Sequence, residues 1–448
     1  MVQSRHRNIV FLILVCYTLA QLCFMLLWRR SVFTECTRNK ISGLTPTTTL
    51  TTKGADVMFN LTYYPTLVRN LDCRKLIDSD NISQFADKVR YIETEVWFPD
   101  NTFLQLTQDC HTFTHAHGYF NKPVTREEKD FPLAFGILMY KSVYQVEQLL
   151  RTIYRPHNTY CIHIDTKATY EIHVAMKAIV RCFDNVFIAS KLNHVVWGDI
   201  SILEAEKRCQ EDSLKKDKTW KYYINLTGQE FPLKTNLEIV QILKELNGSV
   251  DVMTGAIVNK NRLDSIWQMK NDQMQKISRR LDRPPRNVTA TKGELHCALS
   301  RVFVEFLLES DISKQWFAWL SQSLIPDEMY YNSLALLKDA PGGLYPHTHS
   351  DVISRAKVWS ASKKPCQGKY IRSVCVFSWK DLPWLYKQPH LFANKFHADN
   401  DGLVLRCLEE EITRRIFSPV MLNIDFYIRF GRSHTLNSSY EQWQITEI

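Results

Sequence analysis

The chain has 448 residues, a net charge of +9, 45% hydrophobic and 23% charged residues. This suits one large folded domain, or two ordinary ones, with appendages. Lysines and arginines are scattered among 47 acids with no long basic block, which argues against DNA or RNA as a partner; a nucleoside diphosphate needs only a local patch.

Ile9 to Trp28 is apolar, free of charge and about as long as a membrane-spanning helix. Bulky residues followed by Arg29 and Arg30 make a poor signal-peptidase site, so an uncleaved anchor is expected over 9–28, with residues 1–8 as a cytoplasmic tail. The Thr-rich run Ser42 to Gly54 has no apolar periodicity and reads as part of a stem over 29–70. Twelve cysteines are spread without a CxxC pair, so zinc-ribbon spacing is absent. With N-x-[ST] sequons at Asn60, Asn81, Asn225, Asn247, Asn287 and Asn437, they favour a secretory-pathway lumen for residues 71–448.

His111, His115 and His117 follow Cys110; the neighbouring threonines and Gly118 read as a loop, and no metal site is assigned. Leu133 to Met139 is a nearly all-apolar run, as a buried parallel strand would be. Val143, Val146, Leu149, Leu150 and Ile153 then recur at helical spacing, and Thr159 to Ile164 returns to strand with Asp165 at its end. This is a βαβ unit, whose ligands favour the C-terminal ends of strands. It carries neither GxGxxG nor GxxxxGK[ST] glycines, and taken alone Asp165 could be no more than a strand-end cap.

Helix is expected over Val174–Val180, Ser201–Cys209 and Asn236–Leu246, and strand over Asn185–Ser190 and Trp220–Leu226, which argues for a mainly parallel sheet. Residues 250–300 are polar and basic and give no clear element. Helices are expected over Val302–Glu309 and Lys314–Leu320. Pro326-Asp327-Glu328 has the composition of a helix opening, so Glu328 could simply stabilise a helix dipole. Cys366 and Cys375 flank a hairpin or loop carrying Arg372, with Lys395 beyond it. Asp399 and Asp401 form a D-x-D in a loop-like ADNDG and are not read as a metal site.

The segments PLAFGILMYK, YCIHIDTK, KYYINLTGQEFPLKTNLEIV, PDE, IRSVCVF and HLFANKF together resemble the animal core 2 β-1,6-N-acetylglucosaminyltransferases, Golgi enzymes that branch mucin-type O-glycans. The resemblance runs from about Cys73 to Cys407. It implies an α/β fold of the GT-A type and an inverting, metal-independent transferase that needs no cofactor beyond its UDP-sugar donor. By motif position, Leu138, Met139, Tyr140, Asp165, Thr166, Lys167 and Trp197 would line the nucleotide-sugar pocket. Glu328 would be the catalytic base, and Arg372 and Lys395 would bind the diphosphate. The family pattern also implies disulfides Cys73–Cys407, Cys110–Cys182, Cys161–Cys209 and Cys366–Cys375, leaving Cys36 and Cys297 unpaired. Mn²⁺ on a strand-end DxD serves many such folds; here the equivalent position offers only HID, and two fixed cations would take the metal's place.

Around the sugar and acceptor sites the chain departs from the family. Lys260, Arg262 and Trp267 stand in different surroundings, the loop after Trp359 is short, and Thr227 replaces a usual cysteine. Lys292-Gly-Glu-Leu-His replaces a small-residue stretch. Lys260, Arg262 and Trp359 are candidate acceptor contacts, with a core role for Trp359 as the alternative. UDP-GlcNAc is the default donor, UDP-glucose or another hexose the alternative, and a glycosylated glycoprotein the expected acceptor. A catalytically inactive, membrane-tethered glycan-binding relative is the competing reading. A homodimer is allowed for. The Asn225 sequon, on an expected core strand, should be unused.

Overall fold

The computed structural model describes residues 71–92, 99–255, 258–285, 288–344 and 352–435. The expected tail, anchor and stem, Cys36, and the sequons at Asn60, Asn287 and Asn437 lie outside these residues. Among the described residues no helix is long and apolar enough to cross a membrane.

The described residues contain thirteen strands, in chain order β1 (Leu133–Met139), β2 (Thr159–Ile164), β3 (Val186–Ile188), β4 (Tyr222–Thr227), β5 (Glu230–Pro232), β6 (Asp251–Val252), β7 (Ser265–Lys270), β8 (Gln273–Arg279), β9 (Cys297–Ser300), β10 (Arg355–Ala356), β11 (Lys369–Ile371), β12 (Val374–Val376) and β13 (Phe392–Asn394). The six-stranded main sheet has the order β3-β2-β1-β4-β9-β6. β1 runs parallel to β2 and β4, and β3 runs parallel to β2. β9 is antiparallel to both β4 and β6. The sheet is therefore mixed and mainly parallel, as expected.

Alternation along each strand divides the core into two layers. Leu133, Phe135, Ile137 and Met139 of β1 join Tyr160, Ile162 and Ile164 of β2 on one face, against helices Val143–Ile153, Tyr170–Val180, Asn236–Glu245 and Gly402–Phe417. Ala134, Cys161, Tyr223 and Leu299 face the other way, against helices Ser201–Lys216, Arg301–Glu309, Asp311–Leu320 and Tyr330–Ala335. A strand buried on both faces must be apolar throughout, and all seven residues of β1 are buried. Gly136 is required where Tyr223 crosses: a Cβ there would overlap the tyrosine hydroxyl.

All four implied disulfides are present, with Cα–Cα distances of 5.1 Å for Cys73–Cys407 and Cys110–Cys182, 5.4 Å for Cys161–Cys209 and 5.6 Å for Cys366–Cys375. Cys297 is buried and unpaired. Asn225 is also buried. Its amide donates to the Leu295 carbonyl at 2.8 Å and accepts from the Cys297 N–H at 2.9 Å, pinning β9 to β4 and leaving no room for a glycan.

Several expectations are corrected. The histidine segment is helical over Cys110–Ala116, because Asp109 caps it through the His111 N–H and Thr114 bonds back to the Cys110 carbonyl. His117 ends this helix with Nδ1 2.9 Å from the buried Glu147. The helix expected over Ser201–Cys209 continues to Lys216. Part of the unreadable 250–300 stretch is the exposed, polar antiparallel hairpin β7–β8, which lacks the inward apolar face that makes a strand legible. The loop reading of ADNDG needs no correction: Asp401 caps the helix that follows it, accepting from the Leu403 and Val404 N–H groups.

Candidate active site

The strand ends form the first shelf. The Leu138 carbonyl accepts the Gly228 N–H and the Met139 carbonyl accepts the Asp165 N–H, both at 2.8 Å, so these two buried residues tie the edge together and leave Tyr140 exposed beyond it. Asp165 is buried. Its carboxylate accepts the Lys167 and Val195 N–H groups at 3.0 and 3.4 Å and pairs with Lys167 Nζ at 2.9 Å. Lys167 Nζ also donates to the Val195 carbonyl, and the Thr166 N–H to Asn193. Asp165, Thr166 and Lys167 thus brace the loop that presents Trp197, 63% exposed, as an open stacking surface.

That loop leads to the acid. The Gly198 carbonyl accepts the Ile325 N–H at 2.8 Å. Ile325 has φ +54°, a left-handed backbone that β-branched residues rarely adopt, and it turns the chain into the three-residue 3₁₀ turn Pro326–Glu328. Glu328 is no helix cap: Arg262 Nη1 pairs with its Oε2 at 2.6 Å and Lys292 Nζ lies 3.8 Å from the same oxygen. The Glu328 carbonyl accepts the Gly293 N–H at 2.7 Å. Beside it, burial and the Glu328 charge push the Asp327 carboxyl up to about 7.

The cations form the third part. β11 and β12 make the disulfide-closed hairpin, and its two turn residues, Arg372 and Ser373, have φ of +50° and +63°, as a two-residue hairpin turn requires. Lys395 follows β13, and its Nζ donates to the Ile371 carbonyl at 2.9 Å, next to Arg372. Burial, then the charges of Arg372 and Lys141, lower the Lys395 pKa. His397 is pushed down to about 4, by burial first and then by Lys141. Lys141 is 3.8 Å from Asp399, and a bound polyanion favours the charged form of neighbouring cations such as Lys395 and Arg372. Gln229 joins this cluster to the shelf, with Nε2 3.0 Å from His397 Nε2 and 3.4 Å from the Tyr140 hydroxyl.

The fold therefore brings Arg372 to Lys395, Arg262 to Glu328, and the Trp197 loop to the segment before Glu328. Trp359, 42% exposed, bridges to Val374 beside the Arg372 turn, so it is no core tryptophan. Lys260 is exposed. Sequence reasoning missed Lys141, Gln229 and His397, though each lies within or next to a segment that carried the resemblance.

A mainly parallel α/β sheet with an acid and a cation cluster around its strand ends fits a glycosyltransferase. Residues 133–386 match the family model described as Core-2/I-Branching enzyme. The chain is 34% identical over 355 residues (75% of this chain, 78% of the relative) to the mouse β-1,3-galactosyl-O-glycosyl-glycoprotein β-1,6-N-acetylglucosaminyltransferase 4. It is 35% identical over 331 residues (70% and 75%) to the human enzyme of that name numbered 3. It is 36% identical over 332 residues (70% and 78%) to the zebrafish enzyme numbered 4. The chain belongs to the core-2/I-branching enzyme family and is a glycosyltransferase.

Proposed function

We propose that this chain is an inverting, metal-independent transferase of the GT-A type. It moves GlcNAc from UDP-GlcNAc in β linkage to a Gal-GalNAc O-glycan on a glycoprotein. The donor and acceptor follow the names of its relatives. The mechanism rests on one observation: Lys395 Nζ is held on the Ile371 carbonyl next to Arg372, while Glu328 is held separately by Arg262. Tyr140 and Trp197 offer faces to the uracil and ribose. The cations take the charge developing on the departing diphosphate. Glu328 takes the proton of the acceptor hydroxyl as it attacks the anomeric carbon from the face opposite UDP, which inverts that carbon. Asp165, the acid where other GT-A enzymes place a metal-binding DxD, is committed to Lys167 and two backbone N–H groups.

In this reading residues 1–8 are cytoplasmic, 9–28 anchor the chain in the Golgi membrane, 29–70 form the stem and 71–448 lie in the lumen. The test is UDP release from UDP-GlcNAc with a Galβ1-3GalNAc acceptor in EDTA, with linkage analysis of the product. Transfer that persists in EDTA supports the reading. Loss in EDTA with rescue by Mn²⁺ refutes the two-cation mechanism, and UDP binding without turnover of any donor refutes the transferase.

A further inference from the structure

In an in-line displacement the donor sugar must lie between the base and the leaving diphosphate. A continuous chain of polar contacts spans that interval. From Glu328 it passes to Gly293, whose N–H bonds the Glu328 carbonyl. Gly293 admits no side chain, since a Cβ would overlap Met253 and Asn332. The next residue, Glu294, pairs through Oε2 with Lys357 Nζ, and Lys357 Nζ donates to His296 Nδ1 at 2.8 Å. That bond makes Nδ1 the acceptor and leaves the proton on Nε2, which lies 2.7 Å from Glu230 Oε1. The same Glu230 oxygen accepts from Asn394 Nδ2 at 3.0 Å, and Lys395 follows. Lys357 is tied to the cation hairpin as well, because the next carbonyl, Val358, accepts the Cys375 N–H at 2.9 Å.

This chain is not saturated. Lys357 and Glu294 are 7% and 14% exposed. One ammonium proton and Glu294 Oε1 have no partner among the described residues. An adjacent donor and acceptor match a vicinal diol, in which one hydroxyl accepts from the ammonium and the other donates to the carboxylate.

We propose that Glu294 and Lys357, positioned by His296, form the floor of the donor-sugar subsite and select the sugar through a vicinal pair of ring hydroxyls. The proposal rests on reading this site as that of a UDP-sugar transferase. It assigns a task to the Lys-Gly-Glu-Leu-His stretch, which the nucleotide and the base leave unused. A glucose-configured ring, with neighbouring equatorial hydroxyls, fits this floor; the C4 epimer, with one of them axial, does not.

The test measures binding of UDP, UDP-GlcNAc and UDP-GalNAc by titration calorimetry, with initial rates, for the wild type, Glu294→Gln, Lys357→Met and Lys357→Arg. UDP affinity should stay within about twofold. UDP-GlcNAc should weaken roughly tenfold or more in Glu294→Gln and Lys357→Met, the size of a lost charged hydrogen bond. The preference for UDP-GlcNAc over UDP-GalNAc should shrink with it and partly return in Lys357→Arg. Because Lys357→Met strands a mostly buried carboxylate, the neutral double variant Glu294→Gln/Lys357→Met repeats the measurement if the single variant does not fold. Unchanged donor affinity and preference, or a parallel loss of UDP affinity, overturns the proposal. A wild type that turns over its donor beside variants that match it removes this floor alone; a wild type that turns over no UDP-sugar removes the transferase reading too.

Discussion

Replacing Glu328 by Gln separates chemistry from binding and folding. Gln keeps the shape, and the Glu328 carbonyl still receives the Gly293 N–H. What goes is the charge. Its ion pair with Arg262 joins side chains 15% and 24% exposed, a setting in which such a pair is worth about 1 kcal/mol after screening. Stability should therefore change by about that amount, in either direction, since an unpaired Arg262 still reaches water. The cation cluster does not involve Glu328, so UDP affinity should hold. Turnover should fall by ~10²–10⁴, the usual contribution of one general base, or roughly 3–5 kcal/mol in the barrier. UDP release at saturating donor and acceptor, UDP titration and thermal melting give the three readouts. Turnover within about fivefold of the wild type would refute the role of Glu328. Loss of turnover alongside loss of UDP affinity or of the fold would refute the separation of base from cation site.

Arg372→Ala and Lys395→Ala should each slow transfer by ~10²–10³ and weaken UDP binding more than acceptor binding, as donor and acceptor titrations would show; a pure acceptor effect would contradict the assignment. Cys366→Ser/Cys375→Ser opens the loop that carries Arg372 and should cost roughly 3 kcal/mol or less by loop entropy, yet weaken UDP binding about tenfold; unchanged UDP affinity would show that the bridge does not order the cation site. Burial raises the Glu206 carboxyl to about 8, so between its unfolded value and pH 8 the folded chain holds a proton that the unfolded chain has lost. The resulting stability is complete below the unfolded pKa and drains away as pH rises to about 8, by up to about 1.4 kcal/mol per pH unit. Denaturant melts from pH 6.5 to 8 should show that decline, and Glu206→Gln, which keeps a partner for the Tyr223 hydroxyl, should flatten it; identical slopes would place Glu206 outside the linkage.

The main sheet was legible because burial on both faces forces an unbroken apolar run in β1 and a clear change of period at Val143. The strand ends were legible for the same reason, since Asp165 stands where that apolar pattern stops. The His111 helix was not, because one capping aspartate outweighed threonines and a glycine that read as loop. Nor was the β7–β8 hairpin, which leans on no core. Its turn, Asn271-Asp272, carries two residues with φ of +51° and +58° and reaches back to place Asp272 Oδ1 2.8 Å from His194, on the loop before Trp197.

At the site itself, residue identity was easier to read than residue role. Arg262, a candidate acceptor contact, also holds Oε2 of Glu328. In the proposed mechanism this leaves Oε1 for the acceptor hydroxyl, with the guanidinium fixing which face of the carboxylate is presented. Such an arrangement could not be inferred from spacing, because the partners lie 66 residues apart and meet only when Ile325 turns the chain. It also changes what Arg262→Lys should do. A residue that bound acceptor alone would raise the acceptor KM and leave kcat in place, whereas one that orients the base lowers kcat at saturating acceptor, because a lysine cannot reproduce the planar hold of a guanidinium on the carboxylate.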